Sequence, residues 1–220
     1  MQGRRPRLPA FDSRGRLSLH KKKDLMTTPS LFRGKNRLVV AVTGASGMLY
    51  AKELFAYLAN SPDLEVHAVA SEAGEQVLRL ELGLELAEMV GTKVLVHHWK
   101  NFAAPLASGS FQCRGMVVIP CTMGSLGAIS QGLSRNLIHR AAEVTLKEGR
   151  PLILVVRETP LSLVHLRNML AAAEAGATIF PAMPGFYHRP RSLAEMARNF
   201  VGRILDHLGL EHDLSQRWGE

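Results

Sequence analysis

The chain has 220 residues, 46% of them hydrophobic, two cysteines and a formal net charge of +8. That length and apolar share suffice for one sizeable core, and no break in composition after residue 36 calls for a second domain. No apolar run reaches the roughly 18 to 20 residues of a membrane helix, and two cysteines are too few for a disulfide framework, so a soluble protein of the reducing cytoplasm is expected.

The charge is unevenly placed. Residues 1–36 hold ten Lys and Arg against Asp12 and Asp24, so everything beyond sums to zero. With Pro, Gly and Ser and no apolar periodicity, this segment reads as a basic, disordered N-terminal extension. A transit peptide and a true start at Met26 are the alternative readings. The body carries no basic surplus that would imply a nucleic-acid partner.

From residue 37 onward, apolar runs alternate with helical patterns. A buried strand over 38–43 runs into Thr43, Gly44, Ala45, Ser46 and Gly47, and a helix follows over 48–60. A small-residue turn at a strand-to-helix junction aims backbone N–H groups and a Ser hydroxyl at an anion. It lacks the G-x-G-x-x-G, Walker and G-x-S-x-G patterns, and a plain tight turn is the competing reading. The strand over 65–70 ends at Ser71, which reads as an N-cap for the helix over 73–80. Glu81, ten residues on, can return to the same rim, although by itself it reads as a solvated Glu.

The strand over 116–119 leads into Pro120, Cys121, Thr122, Met123, Gly124 and Ser125, a second polar turn opening the helix over 124–131. Thr122 serves there as a helix cap or as part of a cofactor edge. The helix over 136–148 carries Arg140 and Lys147 seven residues apart on one face. It precedes the strand over 152–156, which ends at Arg157 and Glu158. An Arg at a strand end can hold phosphate oxygens bidentately, and a Glu beside it can move a proton; a structural ion pair is the competing reading. A helix over 162–175 and a strand over 177–180 come next, then the aromatic loop from Pro184 to Pro190 with Tyr187. The last helix opens with a capping box of Ser192 and Glu195, and carries Arg203 on its polar side. Trp218 stands near the terminus. The pattern is α/β, a three-layer doubly wound parallel sheet with its chemistry at the carboxyl ends of the strands. The nine His show no i,i+4 or Glu-bracketed ligand pattern, so no metal site is expected.

Taken together, TGASG, PCTMGSL, RAAEV followed by LKEGRPL, VVRETPLS, PGFYHRP and the terminal RW resemble the UbiX family of flavin prenyltransferases over residues 37–220. The resemblance implies a Rossmann-like flavoprotein fold, a dodecamer, and transfer of a dimethylallyl group from dimethylallyl phosphate to reduced FMN. The prenylated FMN would pass to a UbiD-type decarboxylase, in ubiquinone biosynthesis or in aromatic or acrylic acid degradation. It further implies that Gly44, Ala45, Ser46, Ser71, Thr122, Met123, Gly124, Ser125 and Arg157 contact FMN. Tyr187, Arg203, Lys147 and Arg140 would hold the prenyl phosphate. Glu158 with Ser46 would relay protons, Glu81 would be an active-site carboxylate, and Trp218 would close over the prenyl chain, with some of these residues serving a neighbouring subunit's flavin. Two positions depart from the pattern: Gly124, where many members carry Lys, and Gly149, in place of an Arg. A flavin-dependent cysteine decarboxylase and a non-catalytic FMN carrier are the rival readings. The first would need a catalytic His and an asparagine-containing loop, and the second would have no use for the cationic cluster.

Overall fold

The computed structural model describes residues 36–215. Six strands form one parallel sheet in the order β3-β2-β1-β4-β5-β6. They are β1 (Arg37–Val42), β2 (Glu65–Ala70), β3 (Leu95–His98), β4 (Gly115–Cys121), β5 (Leu152–Val156) and β6 (Thr178–Ile179). The seven helices are α1 (Met48–Leu58), α2 (Glu72–Leu82), α3 (Leu86–Val90), α4 (Met123–Ser130), α5 (Leu137–Lys147), α6 (Leu163–Glu174) and α7 (Leu193–His207).

The near-continuous apolar runs of β1, β4 and β5 are explained by burial on both sheet faces. Alternate residues part accordingly. Leu38, Val40 and Val42 pack with Met48, Leu54 and Phe55 of α1 and with Val201 and Ile204 of α7. Val39 and Ala41 point the other way, toward Leu126 of α4, Ile138 of α5 and Ala172 of α6. The chain winds outward from β1 in both directions, so the strand order reverses between β1 and β4. Connections leave the sheet there on opposite faces and open a crevice above the strand ends.

Two of these elements were not predicted from the sequence. β3 is a four-residue edge strand, largely exposed, and its His97 and His98 mask any apolar run. α3 has five residues, too few to display a helical period. At α7 the expected capping box is half formed. The Ser192 hydroxyl accepts from the Glu195 N–H at 3.1 Å, but the Glu195 carboxylate accepts from the N–H of Arg191 at 2.8 Å instead of that of Ser192. Among the described residues no helix is long and apolar enough to cross a membrane.

Candidate active site

The turns after β1 and β4 meet at the switch point, and one buried side chain joins them. Thr43, 1% exposed, donates its hydroxyl to the Pro120 carbonyl at 2.8 Å and accepts from the Thr122 N–H at 2.8 Å. Its own N–H also reaches the Pro120 carbonyl, at 3.2 Å. The two turns are therefore one rigid unit. Sequence reasoning placed Thr43 in the first turn without a role. Only the pairing of β1 with β4 brings its partners, more than seventy residues away, within reach.

Thr122 caps α4, accepting from the Ser125 N–H at 3.0 Å and donating to the Ser125 hydroxyl at 3.1 Å. Ser71 caps α2 in the same way, accepting from the Gly74 N–H at 3.0 Å. A β-carbon at Gly124 would meet nothing closer than the Thr122 hydroxyl oxygen at 3.9 Å, so this turn borders open space. Gly44 and Gly74 are the opposite case. A β-carbon on Gly44 would lie 2.6 Å from that of Ala73, and one on Gly74 would lie 2.7 Å from the Val42 carbonyl oxygen. These two glycines let α2 pack directly on the first turn. Gly74 carried no signal in the sequence, because a lone Gly in a helical pattern looks like a weak spot.

The first turn differs from expectation in what it holds. Its N–H groups were read as free for a ligand anion, yet those of Gly47 and Met48 point at the Glu81 carboxylate. Gly47 N–H donates to both oxygens at 3.1 and 3.0 Å, and Met48 N–H to one at 2.8 Å. An N-terminus of a helix attracts a carboxylate as readily as a phosphate, and α2 delivers one from its last turn. Glu81 thus returns to the rim, where its sequence context alone suggested a solvated residue. Burial pushes its pKa up. Hydrogen bonds from Ser46, Met48 and Gly47, with the Arg157 charge nearby, outweigh that and hold the carboxyl below its ordinary range.

Arg157 leaves β5 with its N–H on the Cys121 carbonyl at 3.3 Å, beside the second turn. Its guanidinium is exposed and makes no hydrogen bond or ion pair among the described residues. Burial raises the pKa of the Tyr50 phenol, and the Arg157 charge opposes that rise. The neighbouring Glu158 is exposed and accepts from the Thr159 N–H at 3.0 Å, so the structural ion pair between Arg157 and Glu158 is not formed. A hydroxyl-lined turn, an open space at Gly124 and an uncommitted guanidinium suit a flat, phosphate-bearing cofactor.

The loop after β6 builds a second compartment. Tyr187 and Arg203 line one cavity of about 380 Å³ together with Phe180, Met183, His188 and Phe200. Phe200 also packs on Tyr50, with ring centroids 4.7 Å apart. Since Tyr50 lies three residues beyond Gly47, a single aromatic pair joins the cavity wall to the helix of the first turn. Arg140 and Lys147 are not brought there. Arg140 donates to the Ala107 carbonyl at 3.1 Å and to Glu143 at 3.1 Å. Lys147 pairs with Glu148 at the end of α5, where the chain turns back to begin β5. β5 itself spans roughly 16 Å, so Lys147 and Arg157 sit at opposite rims of the same chain. Trp218 lies outside the described residues.

A doubly wound sheet with small polar turns at its switch point, a free cation beside them and an aromatic cavity next door defines a flavoprotein. The Flavoprotein family model matches residues 27–198. The flavin prenyltransferase UbiX of Halalkalibacterium halodurans is 45% identical over 84% of this chain and 95% of its own. Among solved structures, the dodecameric FMN-dependent Ubix-like decarboxylase of Escherichia coli O157:H7 superposes with a TM-score of 0.81 at 40% identity, covering 84% of this chain and 100% of its own. AnUbiX (PadA1) in complex with FMN and dimethylallyl pyrophosphate gives 0.81 at 41% identity, covering 85% and 99%. The chain belongs to the flavoprotein family and, within it, to the UbiX flavin prenyltransferases.

Proposed function

We infer that this protein transfers a dimethylallyl group from dimethylallyl phosphate to reduced FMN, and that a UbiD-type decarboxylase takes up the prenylated flavin. The observation that carries this reading is the adjacency of two compartments. A hydroxyl-lined, Arg157-flanked rim lies one aromatic pair away from a cavity that Tyr187 and Arg203 both line. FMN supplies an electron-rich ring that accepts the allylic carbon.

The residues of the chain divide the remaining work. Gly44, Ala45, Ser46, Ser71, the turn from Thr122 to Ser125 and Arg157 hold and orient the flavin. Tyr187 and Arg203 hold the phosphate of the prenyl donor. As the carbon–oxygen bond breaks, its electron pair leaves with phosphate, and preorganised donors and cations stabilise that charge where it develops. Phe180, Met183 and Phe200 offer the apolar wall for the five-carbon chain. Glu158, at the exposed end of β5, accepts and returns the proton, with Ser46 as a relay beside Glu81. Arg140 and Lys147 face away from this cavity in their own chain, which supports a homo-oligomer in which they complete a neighbour's site. The Escherichia coli O157:H7 relative is dodecameric. Trp218 would close over the prenyl chain. Residues 37–220 form the working domain, and the protein acts in the cytoplasm.

The test is direct. The protein is reduced anaerobically with FMN, given dimethylallyl phosphate, and the flavin is weighed by mass spectrometry. A gain of one prenyl unit is expected; an unchanged flavin overturns the assignment.

A further inference from the structure

His188 is a buried polar group without a partner. Both of its ring nitrogens are shielded from solvent and neither makes a hydrogen bond. A desolvated nitrogen left unpaired is destabilising, so native chains keep one where a ligand, ion or water completes it. The ring is held in place regardless. It meets Tyr187 edge to face with centroids 4.7 Å apart, and Gly185 leaves room for both rings, since a β-carbon there would lie 3.0 Å from Tyr187 and 3.6 Å from His188. His188 lines the same cavity as Tyr187 and Arg203. Nothing on the protein side sets which nitrogen carries the proton.

We propose that His188 is a phosphate contact of the prenyl donor, giving its ring N–H to a phosphate oxygen beside Arg203 and Tyr187. A phosphate monoester suits an imidazole whose N–H has no partner within the chain. Near neutrality it presents charged oxygens as acceptors for one ring N–H. The hydrogen bond also strengthens as the carbon–oxygen bond breaks. Charge then accumulates on phosphate, the electron pair departs with it, and the N–H remains directed at the oxygen that gains the charge.

The inference rests on the prenyl phosphate reading of this cavity, so its test uses a readout that needs no turnover. Full-length, FMN-loaded protein labelled with ¹⁵N-histidine is titrated with inorganic phosphate, and the His188 imidazole resonances, assigned by their loss in His188→Phe, are followed. A saturable shift of those resonances is expected. Their indifference to phosphate, at concentrations that inhibit prenylation competitively, overturns the proposal. In kinetics, His188→Phe is expected to raise the KM for dimethylallyl phosphate and the inhibition constant of phosphate about tenfold or more, the size of a hydrogen bond to a charged group. FMN affinity stays at the wild-type value, and His188→Gln, which restores an N–H, recovers part of the loss. Wild-type phosphate inhibition in His188→Phe refutes the contact. Should His188→Phe fail to fold, His188→Gln supplies the assignment and the titration still decides. A wild-type protein that binds phosphate at His188 but never prenylates FMN would instead defeat the assigned reaction and leave the contact standing.

Discussion

The rim at β1 and β4 and the cavity behind the β6–α7 loop are built on opposite plans. At the rim the side chains that hold the turns are already paired within the chain: Thr43 with Pro120 and Thr122, Glu81 with Gly47 and Met48, Ser71 and Thr122 with their helices. In the cavity Tyr187 is 51% exposed and neither ring nitrogen of His188 makes a hydrogen bond. On the proposed function the rim would be a preformed seat for a resident cofactor, whose parts must stay fixed through many turnovers. The cavity would keep the His188 ring for a substrate that arrives and leaves, and carry its desolvation cost until the substrate comes.

If that contrast is right, damage at the rim should strike FMN binding, and damage in the cavity should strike the prenyl donor. The largest effect is expected at Arg157, a rim side chain with no hydrogen bond or ion pair among the described residues. Arg157→Ala should weaken FMN binding about 10- to 100-fold, the scale of charged hydrogen bonds, as read by flavin fluorescence during titration. Retention of wild-type affinity would move the cofactor elsewhere. Next comes Thr43→Val, which keeps the shape and the backbone bond to the Pro120 carbonyl but strands the Thr122 N–H. It should cost about 1–3 kcal/mol in denaturant unfolding of the FMN-free protein and weaken flavin binding, with recovery in Thr43→Ser. A Val variant as stable as wild type would show that the two turns need no clasp.

Acid should act through Glu81. Its carboxyl titrates below the ordinary range in the folded chain, so its stabilising bonds are fully present above the unfolded value near 4.5 and are lost as pH falls through the lower, folded one. Hydrogen exchange at the Gly47 and Met48 amides should accelerate in that window. In Glu81→Gln the acceleration should be absent, because the remaining amide does not titrate there. The smallest effect is expected from Tyr187→Phe, which removes one hydroxyl from a half-exposed ring. It should raise the KM for dimethylallyl phosphate by roughly 0.5–1.5 kcal/mol and leave FMN binding unchanged. A loss of FMN in this variant would erase the division between the two compartments.

The fold was legible where burial imposes a period. β1, β2, β4 and β5 announce themselves as apolar runs, and the caps Ser71, Thr122 and Ser192 mark helix starts to within a residue. β3 and α3 were not legible, being short and at an edge. The site was legible in part. Strand-end turns predict where a ligand sits, so TGASG, the turn at Thr122 and Arg157 could be placed at one rim. Glu81 could not be told from an ordinary surface Glu until α2 was seen to fold back on Gly47. Nor could any local pattern show that Lys147 and Arg140 turn away from Tyr187 and Arg203 in their own chain.

What the sequence by itself determined is local: which runs are strands, where helices begin, which turns are small enough to meet a ligand, and, through several motifs in order, the family. Those properties depend on residues a few positions apart. The tertiary structure alone decided the pairings: Thr43 with the turn after β4, Glu81 with the first turn, and Phe200 with Tyr50. Each joins residues far apart in the chain, and such a meeting is set by strand order and helix packing, which no short window of sequence contains.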